Sequence, residues 1–321
     1  MTRAWSGLYF FLVKAGSVLA AALLVCFASS ASAVLVYDGS SANLSAPGDD
    51  PGWDAVGTIY VGSASSSPAT AIFLGNNGGY GWFLTANHVG LAGATLSIGS
   101  GNYTAFYGQD QIESVDLKVF RVGAEISGIS GVSLASAAPD VGSNVTMIGY
   151  GKTGTKVTWD TSGNGTWTSP GLDAEGYTWS DPNVKRWGTN TVYATNVTYA
   201  SSSNLTVTDF DASPGEAQGS LGDSGGGVFS KNRLNWELAA LIVNVGVTNG
   251  VAFGGAFSGQ PGSTSVAAIT GLPNSKSVTF SVQVSNYRDA ILAAIPEPSS
   301  VALLAGSLAL FAGALLRRRV P

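Results

Sequence analysis

Hydrophobic and polar residues alternate in short runs along most of the chain, and glycine, asparagine or aspartate bounds many of these runs. Alternation with a period of two is typical of strands buried on one face, and the bounding residues are typical of turns. The sequence therefore predicts an all-β fold. The predicted strands are Val56–Val61, Ala71–Leu74, Gly81–Thr85, Leu117–Val122, Val145–Gly149, Thr191–Val197, Leu205–Thr208, Gly226–Phe229, Leu238–Val245 and Val278–Val282.

Three segments depart from this pattern. Residues 284–294 have helical spacing, with Tyr287, Ile291 and Ala294 on one face, which predicts one closing helix. Residues 153–183 are polar and rich in Gly, Trp and Thr, and we interpret them as a long surface insertion. Residues 136–143 are predicted to link two halves of similar size.

The N-terminal segment has the pattern of a secretory signal peptide. Arg3 and Lys14 precede the apolar run Ala15–Ala28, which is followed by Ala31-Ser32-Ala33. A basic start, a short apolar core and a small-x-small site are the features of such a peptide. Cleavage after Ala33 would leave Val34 as the first residue, whereas an uncleaved membrane anchor is the alternative.

The C-terminal segment has the pattern of a sorting signal. Pro296-Glu297-Pro298 precedes the uncharged apolar stretch Ser299–Leu316, which can span a bilayer as a helix, and three arginines follow it. This arrangement resembles the PEP-CTERM signal of Gram-negative bacteria. The resemblance implies transient membrane association, processing by an exosortase and a cell-surface or extracellular destination, and an ordinary C-terminal anchor is the alternative.

Composition excludes several classes of function. Only 11% of the 321 residues are charged and the net charge is −5, so the chain lacks the positive charge for electrostatic binding of nucleic acid. Its one cysteine, Cys26, lies in the predicted signal peptide, which leaves the mature protein without disulfides or a cysteine nucleophile. His88 is the sole histidine, which argues against most zinc sites. We expect no metal and no organic cofactor.

The segment Gly222-Asp223-Ser224-Gly225-Gly226 is the sharpest chemical feature of the chain. A serine hydroxyl is a weak nucleophile, and it needs a base, a group that orients the base and donors for an oxyanion. Glycines let the backbone turn so that amide groups converge, and we expect the N–H groups of Gly222 and Ser224 to form an oxyanion hole. A glycine-rich surface turn is the alternative interpretation.

His88 is the only candidate for the base. It follows the predicted buried strand Gly81–Thr85 in a turn of small residues, and an imidazole suits proton transfer at neutral pH. Asp116, at the start of the strand Leu117–Val122, is the expected orienting carboxylate. Asp110 and Asp140 are the alternatives, although neither leads directly into a comparable strand.

The order of these residues discriminates among serine hydrolases. In α/β-hydrolases the histidine follows the nucleophile, but no histidine follows Ser224. Subtilisin-like enzymes have the order Asp, His, Ser on an α/β scaffold, for which this chain has too little helical pattern. The order His88, Asp116, Ser224 is that of chymotrypsin-like enzymes.

Over residues 54–294 the chain resembles a trypsin-like (chymotrypsin-fold) serine protease. The resemblance is carried by Thr85-Ala86-Asn87-His88, Asp116-Leu117-Lys118-Val119, Gly149-Tyr150-Gly151, the unchanged Gly-Asp-Ser-Gly-Gly at 222–226 and the segment around Tyr287. It implies two six-stranded antiparallel β-barrels with the triad in the cleft between them. The predicted organisation is a signal peptide at 1–33, a leader at 34–53, an N-terminal barrel at 54–135, a C-terminal barrel with its helix at 136–295 and the sorting signal at 296–321.

The family resemblance also raises the question of activation. In that family a freed N-terminal amine pairs with the aspartate that precedes the nucleophile, which here is Asp223, but the chain contains no Ile-Val-Gly-Gly activation sequence. Our hypothesis is that Val34, released by signal peptidase, supplies the amine.

For substrate preference the resemblance points to Gln218, Asn244 and Gly246 as residues of a specificity pocket. Gln218 stands where a trypsin has an acidic residue, which counts against cleavage after Lys or Arg and favours an apolar or small residue.

The sequence therefore predicts a secreted serine endopeptidase that acts on polypeptides. Two alternatives remain at this point: a catalytically silent binding protein with a protease fold, displayed at the cell surface, and a structural protein of the extracellular matrix.

Overall fold

The structure is a computed structural model that describes residues 34–37, 41–62, 68–104, 106–161, 167–168, 171, 174–199, 202–211, 213–246, 255–258 and 277–296. The strands are β1 (Leu35–Val36), β2 (Val56–Val61), β3 (Ala69–Asn77), β4 (Tyr80–Thr85), β5 (Ala94–Ile98), β6 (Gly101–Tyr103), β7 (Phe106–Gln111), β8 (Lys118–Val122), β9 (Asn144–Gly149), β10 (Lys152–Thr161), β11 (Trp167–Thr168), β12 (Ala174–Asn183), β13 (Arg186–Tyr199), β14 (Ser202–Asp209), β15 (Ala217–Gln218), β16 (Gly227–Asn232), β17 (Asn235–Gly246), β18 (Gly255–Ser258) and β19 (Val278–Gln283). Short 3-10 turns lie at Ser41–Leu44, Trp53–Ala55 and Val284–Tyr287, and the last leads into helix α1 (Arg288–Ala294).

The second half of the chain forms a closed six-stranded antiparallel barrel in the order β13-β14-β19-β17-β16-β9. Apolar residues from these strands, such as Met147, Val192, Val228 and Ala240, fill its interior. The six-stranded barrel predicted for this half is therefore present.

The first half is an open sheet, which corrects the prediction of a second closed barrel. Its seven antiparallel strands have the order β6-β5-β2-β3-β4-β8-β7. The two edge strands give a physical reason for the opening. Strand β6 is only three residues long, and residues 107–111 of β7 are all exposed, so β7 has no buried face to seat against the far edge.

An aromatic column holds the centre of this sheet together. Phe73, Phe83 and Phe120 are fully buried on the neighbouring strands β3, β4 and β8. The ring centroids of Phe73 and Phe83 are 5.2 Å apart, and those of Phe83 and Phe120 are 5.4 Å apart and nearly parallel. Such contacts add to the burial of apolar area and fix the register of β4 against β8.

The predicted surface insertion at 153–183 contains regular structure. Strands β10 and β12 form a long antiparallel hairpin, and with β11 and β18 they make a separate four-stranded sheet. Threonines and tryptophans favour strands, but here they stand among glycines and charged residues, so the alternation was too weak to reveal the hairpin.

The predicted leader also needs correction at its first residues. Val34, Leu35 and Val36 are buried, and β1 pairs with β15 of the second half of the chain. The beginning of the leader is therefore part of the fold.

The closing helix is shorter than predicted, because Val284–Tyr287 forms a 3-10 turn before α1. Tyr287 and Ile291 are buried as expected. Among the described residues no helix is long and apolar enough to span a bilayer. The predicted signal peptide and the predicted sorting helix lie outside the described residues.

Candidate active site

Strands β4 and β8 bring the predicted base and its orienting carboxylate together. Thr85, at the end of β4, is paired with Lys118, at the start of β8. His88 follows the first strand by three residues and Asp116 precedes the second by two. A turn closed by the hydrogen bond from Val89 N–H to the Ala86 carbonyl (3.1 Å) presents the imidazole toward Asp116.

Asp116 binds His88 through both carboxylate oxygens. Oδ2 lies 2.7 Å from His88 Nδ1, and Oδ1 accepts the His88 main-chain N–H at 2.9 Å. Burial raises the pKa of Asp116, but these hydrogen bonds outweigh burial, so its pKa lies below the ordinary 3.8. The carboxyl is therefore ionised at neutral pH. The alternative Asp110 lies on β7, whose residues 107–111 are exposed.

The third predicted residue completes a line of hydrogen bonds. His88 Nε2 lies 2.8 Å from Ser224 Oγ. Because a carboxylate can only accept, the proton between His88 and Asp116 belongs on Nδ1, which leaves Nε2 as the acceptor for the serine hydroxyl. The imidazole is 48% exposed, so a substrate can reach it.

The main chain around Ser224 aims two N–H groups away from the protein's own acceptors. In a planar peptide the carbonyl and N–H point in opposite directions. The Leu221 carbonyl accepts a hydrogen bond from Lys152 N–H (2.8 Å), so the Gly222 N–H of the same peptide group points away from Lys152. Likewise, the Asp223 carbonyl accepts from Gly226 N–H (2.7 Å), so the Ser224 N–H points away from Gly226. The predicted oxyanion donors are thus free of main-chain acceptors among the described residues.

Thr70 holds residues 222–226, the nucleophile loop, against the open sheet, and the sequence did not indicate this role. Its N–H donates to the Ser224 carbonyl (2.8 Å) and its Oγ1 donates to the Gly222 carbonyl (3.2 Å). Thr85 Oγ1 in turn donates to the Thr70 carbonyl at 2.7 Å. Gly225 has φ +86° and a Cβ there would lie 2.0 Å from the Thr70 carbonyl oxygen, so only glycine fits. Nothing in the spacing of a lone threonine could have indicated this role.

Asp223 anchors the same loop from inside the barrel. Its Oδ1 accepts Gly151 N–H (2.7 Å), and its Oδ2 accepts Ser220 N–H (2.8 Å) and the Ser220 hydroxyl (2.9 Å). Full burial raises the pKa of this carboxyl to about 6, although hydrogen bonds from Ser220, Gly151 and the Val34 N–H lower it in part. All of these donors are neutral, and no cationic partner of the carboxylate lies among the described residues.

Val34 reaches Asp223 in a strained conformation. Its side chain is 0% exposed, its backbone N–H is bonded to the carboxylate, and its φ is +36°. Positive φ in a β-branched residue is a genuine outlier and costs about 1–3 kcal/mol.

The structure places the three residues predicted for a specificity pocket on strands β15 and β17. Gln218 is fully buried and pairs with Leu35 of β1, and Gly246 pairs with Val278 of β19. Asn244 lines a cavity of about 280 Å³ together with His88, Asp116, Tyr199, Ser202, Leu205, Val243 and Phe280. Within the part of the chain that the structure describes, no group of three His, Asp or Glu side chains could hold a metal ion.

No protein-family model and no curated protein matches the chain. Solved structures do match. Neuropsin, a serine protease expressed in the limbic system of mouse brain, is 15% identical, with 77% of this chain and 96% of that chain covered and a TM-score of 0.49. The Rv3671c protease in an inactive form is 14% identical, with 76% and 89% covered and a TM-score of 0.41. An inactive mutant of Rv3671c from M. tuberculosis is 14% identical, with 75% and 86% covered and a TM-score of 0.39. These values are too low to assign a family.

We expect Gly151→Ala to disable the site, because the new Cβ would lie 2.2 Å from Ser220 Oγ and 2.4 Å from Asp223 Oδ2. Displacing Asp223 releases the nucleophile loop, which carries the oxyanion donors, and loss of one oxyanion donor costs about 100- to 1,000-fold in rate. The measurement is the rate at which a fluorophosphonate labels the folded protein. Gly48→Ala, where a Cβ meets nothing within 4 Å, is the control. Equal labelling of both variants would contradict this role of Asp223.

Proposed function

We propose that the protein is a serine endopeptidase whose catalytic residues are Ser224, His88 and Asp116. One observation carries this proposal: the hydrogen bonds from Asp116 Oδ2 through both ring nitrogens of His88 to Ser224 Oγ, at 2.7 and 2.8 Å. These contacts supply the base and its orienting group, and the N–H groups of Gly222 and Ser224, which bond no main-chain acceptor among the described residues, are the proposed oxyanion donors.

The geometry supports the following reaction. Ser224 Oγ attacks a peptide carbonyl and His88 Nε2 takes its proton, while Asp116 stabilises the imidazolium and the N–H groups of Gly222 and Ser224 bind the oxyanion. The imidazolium then gives its proton to the departing amine, which leaves an acyl group on Ser224. Water, deprotonated by His88, hydrolyses that ester and restores the hydroxyl. The residues need no cofactor for any of these steps.

The test of this function is active-site labelling of the purified chain that begins at Val34. A fluorophosphonate should modify Ser224, and Ser224→Ala should abolish the modification. Asp116→Asn should lower peptide hydrolysis by about 10⁴-fold, because the imidazole loses its orienting acceptor. Asp110→Asn, a change to an exposed carboxyl, is the control and should leave hydrolysis unchanged. Folded protein that is never labelled would instead support the silent binding protein.

The proposal extends to activation by cleavage after Ala33. Such a cut would turn the Val34 amide nitrogen into an ammonium, which would provide the buried Asp223 carboxylate with a cationic counter-ion. The cut would also remove the torsion φ of Val34, and with it the strain of the positive angle. We propose that signal peptidase makes this cut during export, and that an exosortase handles the C-terminal segment afterwards at the surface of a Gram-negative cell.

We expect a chain that begins at Val34 to be labelled at Ser224 at least 10-fold faster than one that begins at Ala31. The reason is that the buried charge of Asp223, without a cationic partner, destabilises the nucleophile loop. Both chains can be released without extra residues from a fusion partner, and mass spectrometry verifies their first residues. Equal labelling rates would overturn this activation step while leaving the endopeptidase proposal intact.

The two chains should also differ in the pH dependence of their stability. In the chain that begins at Ala31 the pKa of Asp223 is raised from 3.8 to about 6, so its contribution to stability is present below pH 4 and is lost as pH rises through 6. The loss amounts to about 3 kcal/mol. The Val34 ammonium should prevent it in the shorter chain. Urea unfolding at pH 4 and pH 7 measures the difference, and Asp223→Asn should erase it.

A further inference from the structure

The barrel carries a cleft that residues of β9, β13 and β17 line together with the segment 47–49. Its volume is about 290 Å³, at the lower end of the range of about 300–1,000 Å³ that is typical of small-molecule sites. Ser224, His88 and Asp116 are not among the described residues that line it. The side chains of the cleft that concern us are those of Asp49, Asn144, Thr146, Trp187, Thr189 and Trp236.

The alternation of strands β9 and β13 places most of these side chains on the outer face of the barrel. Val145 belongs to the apolar cluster inside the barrel, so its neighbours Asn144 and Thr146 face outward, because successive side chains of a strand point to opposite faces. Thr189 pairs with Thr146 across the two strands and lies on the same face. Trp187, two residues before Thr189, shares that face as well.

Hydrogen bonds to the segment 43–49 hold both indole rings of the cleft in place. Trp187 Nε1–H donates to the Ser45 carbonyl at 2.9 Å, and Trp236 Nε1–H donates to Asp49 Oδ1 at 3.0 Å. Both indole N–H groups are therefore used within the protein, and a ligand meets the rings through their apolar surfaces. Because the rings are already fixed, a ligand does not have to order them when it binds.

The charge of the cleft is balanced. Among the described residues that line it, Asp49 is the only one with a charged side chain, and its Oδ2 accepts a hydrogen bond from the ammonium of Lys231. The amide of Asn144 and the hydroxyls of Thr146 and Thr189 can both donate and accept hydrogen bonds. The cleft therefore suits a neutral ligand that has an apolar face and hydroxyl groups around its edge.

We propose that this cleft binds a neutral hexopyranose ring of an oligosaccharide or polysaccharide. One face of such a ring consists of C–H groups, whose slightly positive hydrogens stack on the negative π-face of an indole, and its edge carries hydroxyls that donate and accept. Trp187 is the stacking platform, because the ammonium of Lys231 lies 5.0 Å from the centroid of the Trp236 ring and covers one face of it. Asn144 and Thr189, both exposed, bind the hydroxyls. Binding here would hold the protein on a polysaccharide without occupying Ser224.

A proline-rich peptide is the other ligand that docks in aromatic grooves. A polyproline segment has carbonyl acceptors but no N–H donors. It would give no hydrogen bond to the carboxylate of Asp49 or to the side-chain oxygens of Asn144 and Thr189, whereas the hydroxyls of a sugar can bond each of them. The polar groups of the cleft therefore favour the sugar.

The experiment measures binding by titration calorimetry with four neutral hexasaccharides, which are built of glucose, mannose, galactose or N-acetylglucosamine. The protein is the Ser224→Ala chain that begins at Val34, so that no proteolysis occurs. At least one sugar should bind saturably, and Trp187→Ala should weaken its binding by about 10-fold or more. Asn144→Ala should weaken it by about 2- to 10-fold through the loss of a hydrogen bond. Tyr107→Ala, which removes an exposed ring from β7, is the control and should bind as the parent does.

Further variants and a second probe keep the inference falsifiable. If Trp187→Ala does not fold, Trp187→Phe keeps a smaller ring and should show a weaker version of the same loss, while Asn144→Ala changes an exposed residue and tests the cleft independently. Folded protein that binds none of the four sugars, or binding that neither position affects, overturns the inference. Binding of a decaproline peptide in place of every sugar also overturns it. Labelling of Ser224 in the parent chain tests the proposed function separately and is unaffected by these outcomes.

Discussion

The imidazole of His88 touches both halves of the molecule, because one of its nitrogens meets Asp116 of the open sheet and the other meets Ser224 of the barrel loop. A catalytic site of this kind exists only where the two halves are packed in one arrangement. Much of the surrounding structure can be understood from that constraint. Phe73, Phe83 and Phe120 fix the register that sets His88 beside Asp116, and Thr70 ties the nucleophile loop to the same sheet. Removing either support would leave three reactive groups that do not meet.

A second constraint comes from the carboxylate of Asp223 inside the barrel. A buried charge is costly unless it is paired, and here the neutral donors of Ser220, Gly151 and Val34 share it. The same contacts order the loop that presents Ser224 and its N–H donors. The structure thus couples three features that lie far apart in the chain: the N-terminal strand, the 149–151 turn and the nucleophile loop. Processing at the N-terminus would therefore affect Ser224, the proposed nucleophile, through the carboxyl group of Asp223.

The sequence predicted most strands of the barrel and singled out the three side chains that the hydrogen bonds of His88 bring together, because both have strong local signals. The alternation of apolar residues located barrel strands such as β9, predicted at Val145–Gly149 and observed at Asn144–Gly149, and a single histidine left no choice of base. The sequence did not predict that the first sheet is open, since closure of a sheet into a barrel depends on whether its two edge strands, here β6 and β7, pair with each other. It also missed Thr70, whose role arises from its contacts with Gly222, Ser224 and Gly225 across the fold. An isolated threonine has no pattern that would reveal such partners.

The most direct measurement uses the fact that His88 is the only histidine of the chain. In a protein labelled with ¹⁵N-histidine, NMR reports the protonation and hydrogen bonding of each nitrogen of this one ring. The account predicts that the neutral ring holds its proton on Nδ1, in a hydrogen bond to Asp116 that Asp116→Asn removes, and that the Nε2 signal shifts in Ser224→Ala. A mixture of tautomers that neither substitution changes would show that the three side chains do not meet in solution, and it would contradict the account.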